Sequence, residues 1–190
     1  DISEVDMENI PEYMFNERHG LKKVTLPKNL KTIGECAFRY CESLESVVIP
    51  DGVTSIGNSA FCFCYNMKSI KFPKGLINMG SNAFYRCYAL TTLELPSSLK
   101  TISGGAFSEL TNLASISMPE QLETIGDNAF YGCKNLKEIL IPKGTQTIGY
   151  AAFYECNSLE KVTIPANVTA VNNAFASCKN LKEVTCLAPI

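Results

Sequence analysis

The residues of this sequence best suited to chemistry are nine cysteines and a single histidine, His19, among 190 residues. Thiolates and imidazoles bind zinc, and a cysteine beside a histidine can act as a nucleophile. With one histidine, the chain offers no set of histidine ligands and no Ser-His-Asp constellation beyond that residue. The Cys62-x-Cys64 pair is too closely spaced for a C-x-x-C redox motif. We therefore predict a protein that is not an enzyme and that has no metal site or cofactor.

The spacing of the cysteines favours a structural role instead. Six of them lie three residues after a phenylalanine, and leucine takes this position once: Cys41, Cys64, Cys87, Leu110, Cys133, Cys156 and Cys178. A position that accepts leucine is an apolar packing site, where a free cysteine packs as a small hydrophobic side chain. Disulfides between neighbouring repeats are the alternative, but parallel side chains hold their Cβ atoms too far apart for a bridge. We expect buried free thiols here, whereas the redox state of Cys36, Cys62 and Cys186 stays open.

The elements that position these residues recur every 23 residues. The period is kept by Pro27, Pro50, Pro73, Pro96, Pro119, Pro142 and Pro165, and by Phe15, Phe38, Phe61, Phe84, Phe107, Phe130 and Phe153, with Phe175 one residue early. A fixed period of this length indicates a solenoid, in which each repeat forms one coil. Residues 1–20 are predicted to be a degraded N-terminal coil or cap. Residues 21–190 are predicted to be an array of about seven coils that forms one continuous domain.

Each coil begins with the pattern L-x-x-[VIL]-x-[LIVFM]-P, as in residues 44–50. The alternation of apolar and polar residues predicts a strand, which the proline ends because it has no N–H for a ladder. A glycine then indicates a tight corner, and the run A-F-x-x-C-x-x-[LM] has nearly helical spacing. We therefore predict a right-handed α/β solenoid with a parallel β-sheet on its concave face. Short helical or 3₁₀ turns are expected on its convex side.

The complete repeat, L-x-x-[VIL]-x-[IL]-P-x-x-[LV]-x-x-I-G-x-x-A-F-x-x-C-x-x, resembles the BspA-like class of bacterial leucine-rich repeats over about residues 21–187. This class carries proline where the commoner leucine-rich repeat has an asparagine ladder. The resemblance implies a secreted or cell-surface protein that adheres to host extracellular-matrix proteins or to other cells. It transfers no binding residues, because the motif consists of core positions.

Charge and hydropathy remove two classes of partner. The formal net charge of −2 gives no electrostatic basis for binding nucleic acid or an anionic membrane. The sequence has no apolar run of 18 or more residues, so we expect no membrane insertion. The first 15 residues lack the basic and apolar regions of a signal peptide, and we expect a mature or trimmed chain.

Two columns of outward strand positions form what we call the concave face. The first contains Ser46, Ser69, Thr92, Ser115, Glu138 and Lys161, and the second contains Val48, Lys71, Glu94, Ser117, Leu140 and Thr163. Strands about 4.8 Å apart give this face roughly 500 Å², against about 800 Å² per partner in a standard interface. A partner bound here alone is expected to be small, weakly bound or multivalent. Solvated strand residues with no partner are an equally good interpretation of the same serines and threonines.

A second candidate surface lies on the opposite, convex side, and we call it the aromatic–arginine patch. It consists of Arg39, Tyr40, Phe63, Tyr65, Tyr85, Arg86 and Tyr88. Tyrosine and arginine are enriched at binding hot spots. Packing against the neighbouring core is the preferred alternative, because Tyr131 and Tyr154 repeat the position of Tyr85.

The function predicted from these features is binding of a protein at a cell surface or outside the cell. A rigid spacer that presents another domain is the second interpretation. Carbohydrate binding through the hydroxyl groups of the concave face is the third.

Overall fold

The computed structural model describes residues 1–187, which contain fourteen short β-strands. They are β1 (Asn9–Ile10), β2 (Thr32–Ile33), β3 (Ser46–Val48), β4 (Ser55–Ile56), β5 (Ser69–Lys71), β6 (Asn78–Met79), β7 (Thr92–Glu94), β8 (Thr101–Ile102), β9 (Ser115–Ser117), β10 (Thr124–Ile125), β11 (Glu138–Leu140), β12 (Thr147–Ile148), β13 (Lys161–Ile164) and β14 (Glu183–Cys186). Most coils contribute a longer strand before the proline and a two-residue strand before the glycine. The predicted exit of the array includes residues 188–190, which lie outside the described residues.

The paired strands are parallel, as predicted, and their register equals the repeat. The longer strands form the ladders β3–β5, β7–β9 and β11–β13–β14, and the two-residue strands form β1–β2–β4–β6 and β8–β10–β12. Ser46 pairs with Ser69, 23 positions on, whereas Lys161 pairs with Glu183, 22 positions on. The last coil thus absorbs its missing residue before its strand begins. The ladders of two-residue strands were not predicted from the sequence.

A stack of phenylalanine rings runs through the core. Six rings are fully buried: Phe38, Phe61, Phe84, Phe107, Phe130 and Phe153. Neighbouring centroids in this set are 5.1 to 5.7 Å apart, with interplanar angles of 1° to 16°. Phe15 and Phe175 extend the stack at 5.0 and 5.2 Å. The predicted aromatic spine is confirmed, and each buried ring contributes roughly 1.5–3 kcal/mol through its removal from water.

The predicted helical or 3₁₀ turns on the convex side are wrong, because residues 1–187 contain no helix. The amides of Phe38 and Tyr40 donate to the carbonyls of Ala60 and Cys62 in the next coil, at 2.7 and 2.9 Å. The amide of Cys41 donates to Phe38 within its own coil, at 3.2 Å. In a helix, consecutive amides all donate within the same segment. Here alternate amides link neighbouring coils, so the A-F-x-x-C segment is a series of turns.

Each of these turns needs a residue with left-handed backbone. Positive φ occurs two residues before and two residues after the stacked phenylalanines, as at Cys36 (51°) and Tyr40 (59°). This φ is typical of the third residue of a type II turn. The glycine of the repeat has another role, since Gly57 has no positive φ and a Cβ there would lie 2.6 Å from the Glu35 amide nitrogen. The glycine therefore permits close stacking of coils, which corrects the tight corner expected at this position.

Candidate functional site

The outward positions of the longer strands are open to solvent. Eleven of the twelve residues assigned to the concave face are exposed, and Thr163 is half-buried. The ladders align their side chains coil by coil, so that Val48 pairs with Lys71 and Leu140 with Thr163. Val48 and Leu140 expose 64% and 76% of their surface, which is unusual for large apolar residues. The face therefore combines hydroxyl groups, charges and accessible apolar surface.

A cleft of about 730 Å³ opens at the proline border of this face, beside β5, β7 and β9. We call it the β5–β9 cleft. Three of its lining residues, Lys71, Glu94 and Ser117, belong to the second column of the concave face. Its lining also includes the apolar residues Ile70, Phe72, Leu95 and Met118 and the charged residues Lys74 and Glu120. The sequence interpretation missed this cleft, although Phe72 is an aromatic departure from the repeat.

The seven residues of the aromatic–arginine patch are all half-buried and contact one another. The rings of Tyr40 and Phe63 stack at 4.4 Å, and those of Tyr65 and Tyr88 stack at 5.4 Å. The Arg39 guanidinium lies 4.8 Å from the centroid of the Tyr40 ring. Such cation–π and stacking contacts join consecutive coils. The structure thus brings the predicted patch residues together.

Glu109 completes the patch and was not assigned to it from the sequence. Its carboxylate accepts hydrogen bonds from Arg86 Nε at 2.9 Å, from Arg86 Nη2 at 3.2 Å and from the Tyr85 hydroxyl at 3.2 Å. The hydrogen bond to Glu109 raises the pKa of Arg86, and burial followed by the charge of Glu109 raises the pKa of Tyr85. The 23-residue spacing of Arg86 and Glu109 was the available signal, because such residues meet in adjacent coils.

All nine cysteines are free thiols, and eight are wholly or partly buried while Cys186 is exposed. The repeated cysteines also have a polar contact that the sequence interpretation missed. Cys64 Sγ donates to the Phe38 carbonyl at 3.2 Å, and the other cysteines at this position donate equivalently to the preceding coil. Burial raises the pKa of Cys133 to about 12. These thiols therefore stay protonated at neutral pH and are poor nucleophiles.

Two further features bear on the kind of site present. Within residues 1–187, no three His, Cys, Asp or Glu side chains lie close enough together to hold a metal ion. The same part of the chain forms no helix of the length and hydropathy needed to span a membrane. The sole histidine, His19, is exposed and lies 3.3 Å from Glu42.

A parallel β-solenoid with about eight coils, a proline border and stacked core residues defines a leucine-rich-repeat protein. The sequence matches the BspA-type leucine-rich repeat region, in six copies, over residues 2–114 and 100–189. The chain belongs to this family, as its repeat pattern predicted.

Solved structures agree with this assignment. The leucine-rich repeat protein TpLRR of T. pallidum is 31% identical, with a TM-score of 0.77 over 83% of this chain and 75% of that one. A leucine-rich repeat protein from Bacteroides ovatus is 25% identical, with a TM-score of 0.65 over 95% of this chain and 58% of that one. The pneumococcal vaccine antigen PcpA, 20% identical with a TM-score of 0.51 over 97% and 67%, shares the fold. Comparison with curated protein sequences gives no match.

Proposed function

We propose that this chain is a non-enzymatic module that binds a partner protein through the concave face, at a cell surface or outside the cell. The observation that carries the proposal is a repeated core beneath a varied and exposed face. Solenoid proteins use such extended surfaces for binding. The extracellular setting, and a host matrix or cell-surface protein as partner, come from the resemblance to BspA-like proteins and are part of this proposal.

The aromatic–arginine patch is assigned a supporting role. Its rings stack on one another, and Arg86 already has a carboxylate partner in Glu109. A protein bound there would gain little from groups whose contacts are already made. The concave face differs because its charged residues Lys71, Glu94 and Glu138 have no ion-pair partner among the described residues.

The test is binding of the purified chain to a panel of matrix proteins, with a glycan array beside it. A concave variant carries Lys71→Ala, Glu94→Ala, Ser115→Ala and Glu138→Ala. A matched patch variant carries Tyr65→Ala and Tyr88→Ala. We expect saturable binding of a matrix protein by the parent and the patch variant, with at least a tenfold loss in the concave variant.

Other outcomes distinguish the remaining candidates. Loss of binding only in the patch variant would move the site to the convex side. Binding of glycans alone would favour the carbohydrate interpretation, which the exposed hydroxyls of Ser46, Ser69 and Ser115 suggest. Absence of any binding would favour a rigid spacer, for which the continuous phenylalanine stack is suited.

A further inference from the structure

The repeat is interrupted on the concave face between β5 and β7. Backbone ladders join β3 to β5 and β7 to β9, but none joins β5 to β7 or β9 to β11 within residues 1–187. The central residues of β5 and β9, Ile70 and Ile116, are half-buried, whereas the equivalent Val47 and Leu93 are only 2% and 6% exposed. Apolar surface that is covered in other coils is therefore accessible around the β7–β9 pair.

The floor of the β5–β9 cleft is apolar. Phe72 stands where most other coils have leucine or isoleucine, and its ring lies perpendicular to the Phe84 ring at a centroid distance of 5.5 Å. Leu95 and Met118 occupy the same position in the next two coils, and Met118 is half-buried. The volume of about 730 Å³ falls within the range of about 300–1,000 Å³ typical of ligand pockets. A large apolar side chain therefore fits the floor chemically and by size.

The rim of the cleft carries charges of both signs. Lys71 and Lys74 come from one coil, and Glu94 and Glu120 come from the next two. None of the four has an ion-pair partner within 4.0 Å among the described residues. A bound group could therefore pair with them without breaking an existing contact.

The absence of a Lys71–Glu94 ion pair is a departure from the rest of the array. Elsewhere a lysine and a glutamate 23 residues apart meet across coils, as in Lys100–Glu123 at 2.8 Å and Lys68–Glu45 at 3.1 Å. Lys71 and Glu94 have the same spacing but stand on either side of the interrupted ladder. The interruption thus leaves a cationic side and an anionic side around an apolar floor.

We propose that the β5–β9 cleft docks an extended segment of a partner protein that carries a large apolar side chain between an acidic and a basic residue. The apolar side chain lies on Phe72 and Met118, the acidic residue faces Lys71, and the basic residue faces Glu94. The inference rests on the proposed protein-binding function and specifies which part of the concave face is used and what it recognises. Opposite charges on the two sides of the cleft supply the selectivity.

The test uses four synthetic heptapeptides, GSELKSG, GSKLKSG, GSELESG and GSESKSG, titrated into protein with ¹³C-labelled methyl groups at Ile70 and Met118. Methyl NMR shifts report binding at the cleft. We expect saturating shifts of both signals with GSELKSG and about fivefold weaker binding of the dibasic and diacidic peptides. GSESKSG, which lacks the apolar side chain, should leave both signals unshifted.

Charge-reversed variants make the test specific to the cleft. Lys71→Glu with Lys74→Glu gives an acidic rim and should prefer GSKLKSG, whereas Glu94→Lys with Glu120→Lys should prefer GSELESG. All four positions are exposed, so both variants are expected to fold, which circular dichroism will verify. The matched control, Lys134→Glu with Lys137→Glu, changes net charge equally at exposed positions outside the cleft lining and should keep the parent preference.

The failure of this inference is distinguishable from failure of the proposed function. Peptides that leave Ile70 and Met118 unshifted, or a preference that the reversed variants do not change, would overturn the cleft assignment. A matrix protein bound equally by the parent and by both reversed variants would also overturn it, while protein binding itself would stand. Switched peptide preference supports the cleft assignment even where no panel protein binds.

Discussion

Arg86 and Glu109, 23 residues apart in adjacent coils, form a two-pronged ion pair, with Nε to Oε2 at 2.9 Å and Nη2 to Oε1 at 3.2 Å. Both residues have left-handed backbone, with φ of 61° and 55°. Tyr40 and Phe63 occupy the same left-handed position in earlier coils. These turns therefore place one outward side chain per coil above the next, and the ion pair continues the aromatic contacts.

Replacing Arg86 tests whether this pair stabilises the stacking of coils. Arg86→Lys keeps the charge but loses the planar fork that meets both carboxylate oxygens. Because both side chains are partly exposed, we expect Arg86→Met and Glu109→Gln each to lower the free energy of unfolding by about 1 kcal/mol. Chemical denaturation of both single variants and the double variant measures the coupling. Strictly additive losses would show that the pair contributes nothing.

The phenylalanine stack should dominate the stability of the fold. Phe84 is fully buried between Phe61 and Phe107, with centroid distances of 5.3 and 5.7 Å. Phe84→Ala removes the ring and leaves a cavity, so we expect a loss of about 3–5 kcal/mol in the free energy of unfolding. Phe84→Leu, the matched control, should lose less. Equal denaturation midpoints for Phe84→Ala and the parent would contradict the structural role of the stack.

Most of this core was predictable because its positions recur. The spacing of Phe61, Cys64 and the proline border identified the coil, the parallel strand and the buried slot without knowledge of the structure. The turns were misjudged because Phe61, Cys64 and Met67 have the spacing of a helix. The pattern of side chains does not reveal that the Phe61 amide donates to Ala83 in the next coil, at 2.8 Å.

The repeat glycine provides a test of close coil stacking. A Cβ added at Gly57 would lie 2.6 Å from the Glu35 nitrogen and 2.7 Å from the Gly34 carbonyl carbon, which are rigid backbone atoms. We expect Gly57→Ala to destabilise the fold by about 1–3 kcal/mol. Gly75→Ala is the matched control, because its Cβ would have an ordinary contact of 3.8 Å to Asp51 oxygen. Thermal denaturation should separate the two variants, and similar melting temperatures would count against the stacking explanation.

The candidate sites were only partly accessible from sequence. The exposure of Ser46 and Lys71 followed from strand alternation, and the grouping of Tyr85 with Arg86 followed from the repeat. The β5–β9 cleft depends instead on an interrupted ladder, which no local pattern encodes. Only the substitution of an aromatic residue at position 72 marked the place in the sequence.

The buried thiols should make stability fall at high pH. Burial raises the pKa of Cys41, Cys62 and Cys133 from 9.0 to about 12. Below pH 9 these groups are protonated in both the folded and unfolded states. Between pH 9 and about 12 the unfolded thiols lose protons that the folded ones retain, so the free energy of unfolding decreases. Urea denaturation at pH 8 and pH 10.5 measures the change.

Cys133→Leu is the control for this pH dependence, because Leu110 already fills the same position in another coil. The variant should fold and lose one titrating group, which reduces the slope by at most about 1.4 kcal/mol per pH unit. An unchanged slope would mean that Cys133 does not contribute.

Hydrogen exchange of the chain with a bound matrix protein tests the proposed binding face most directly. The proposal predicts slower amide exchange on binding in segments that contain residues 69–71, 92–94 and 115–117, which form β5, β7 and β9. Segments that contain residues 85–88 of the aromatic–arginine patch should exchange as in the free protein. Protection confined to residues 85–88, with no change in the three strands, would contradict binding through the concave face.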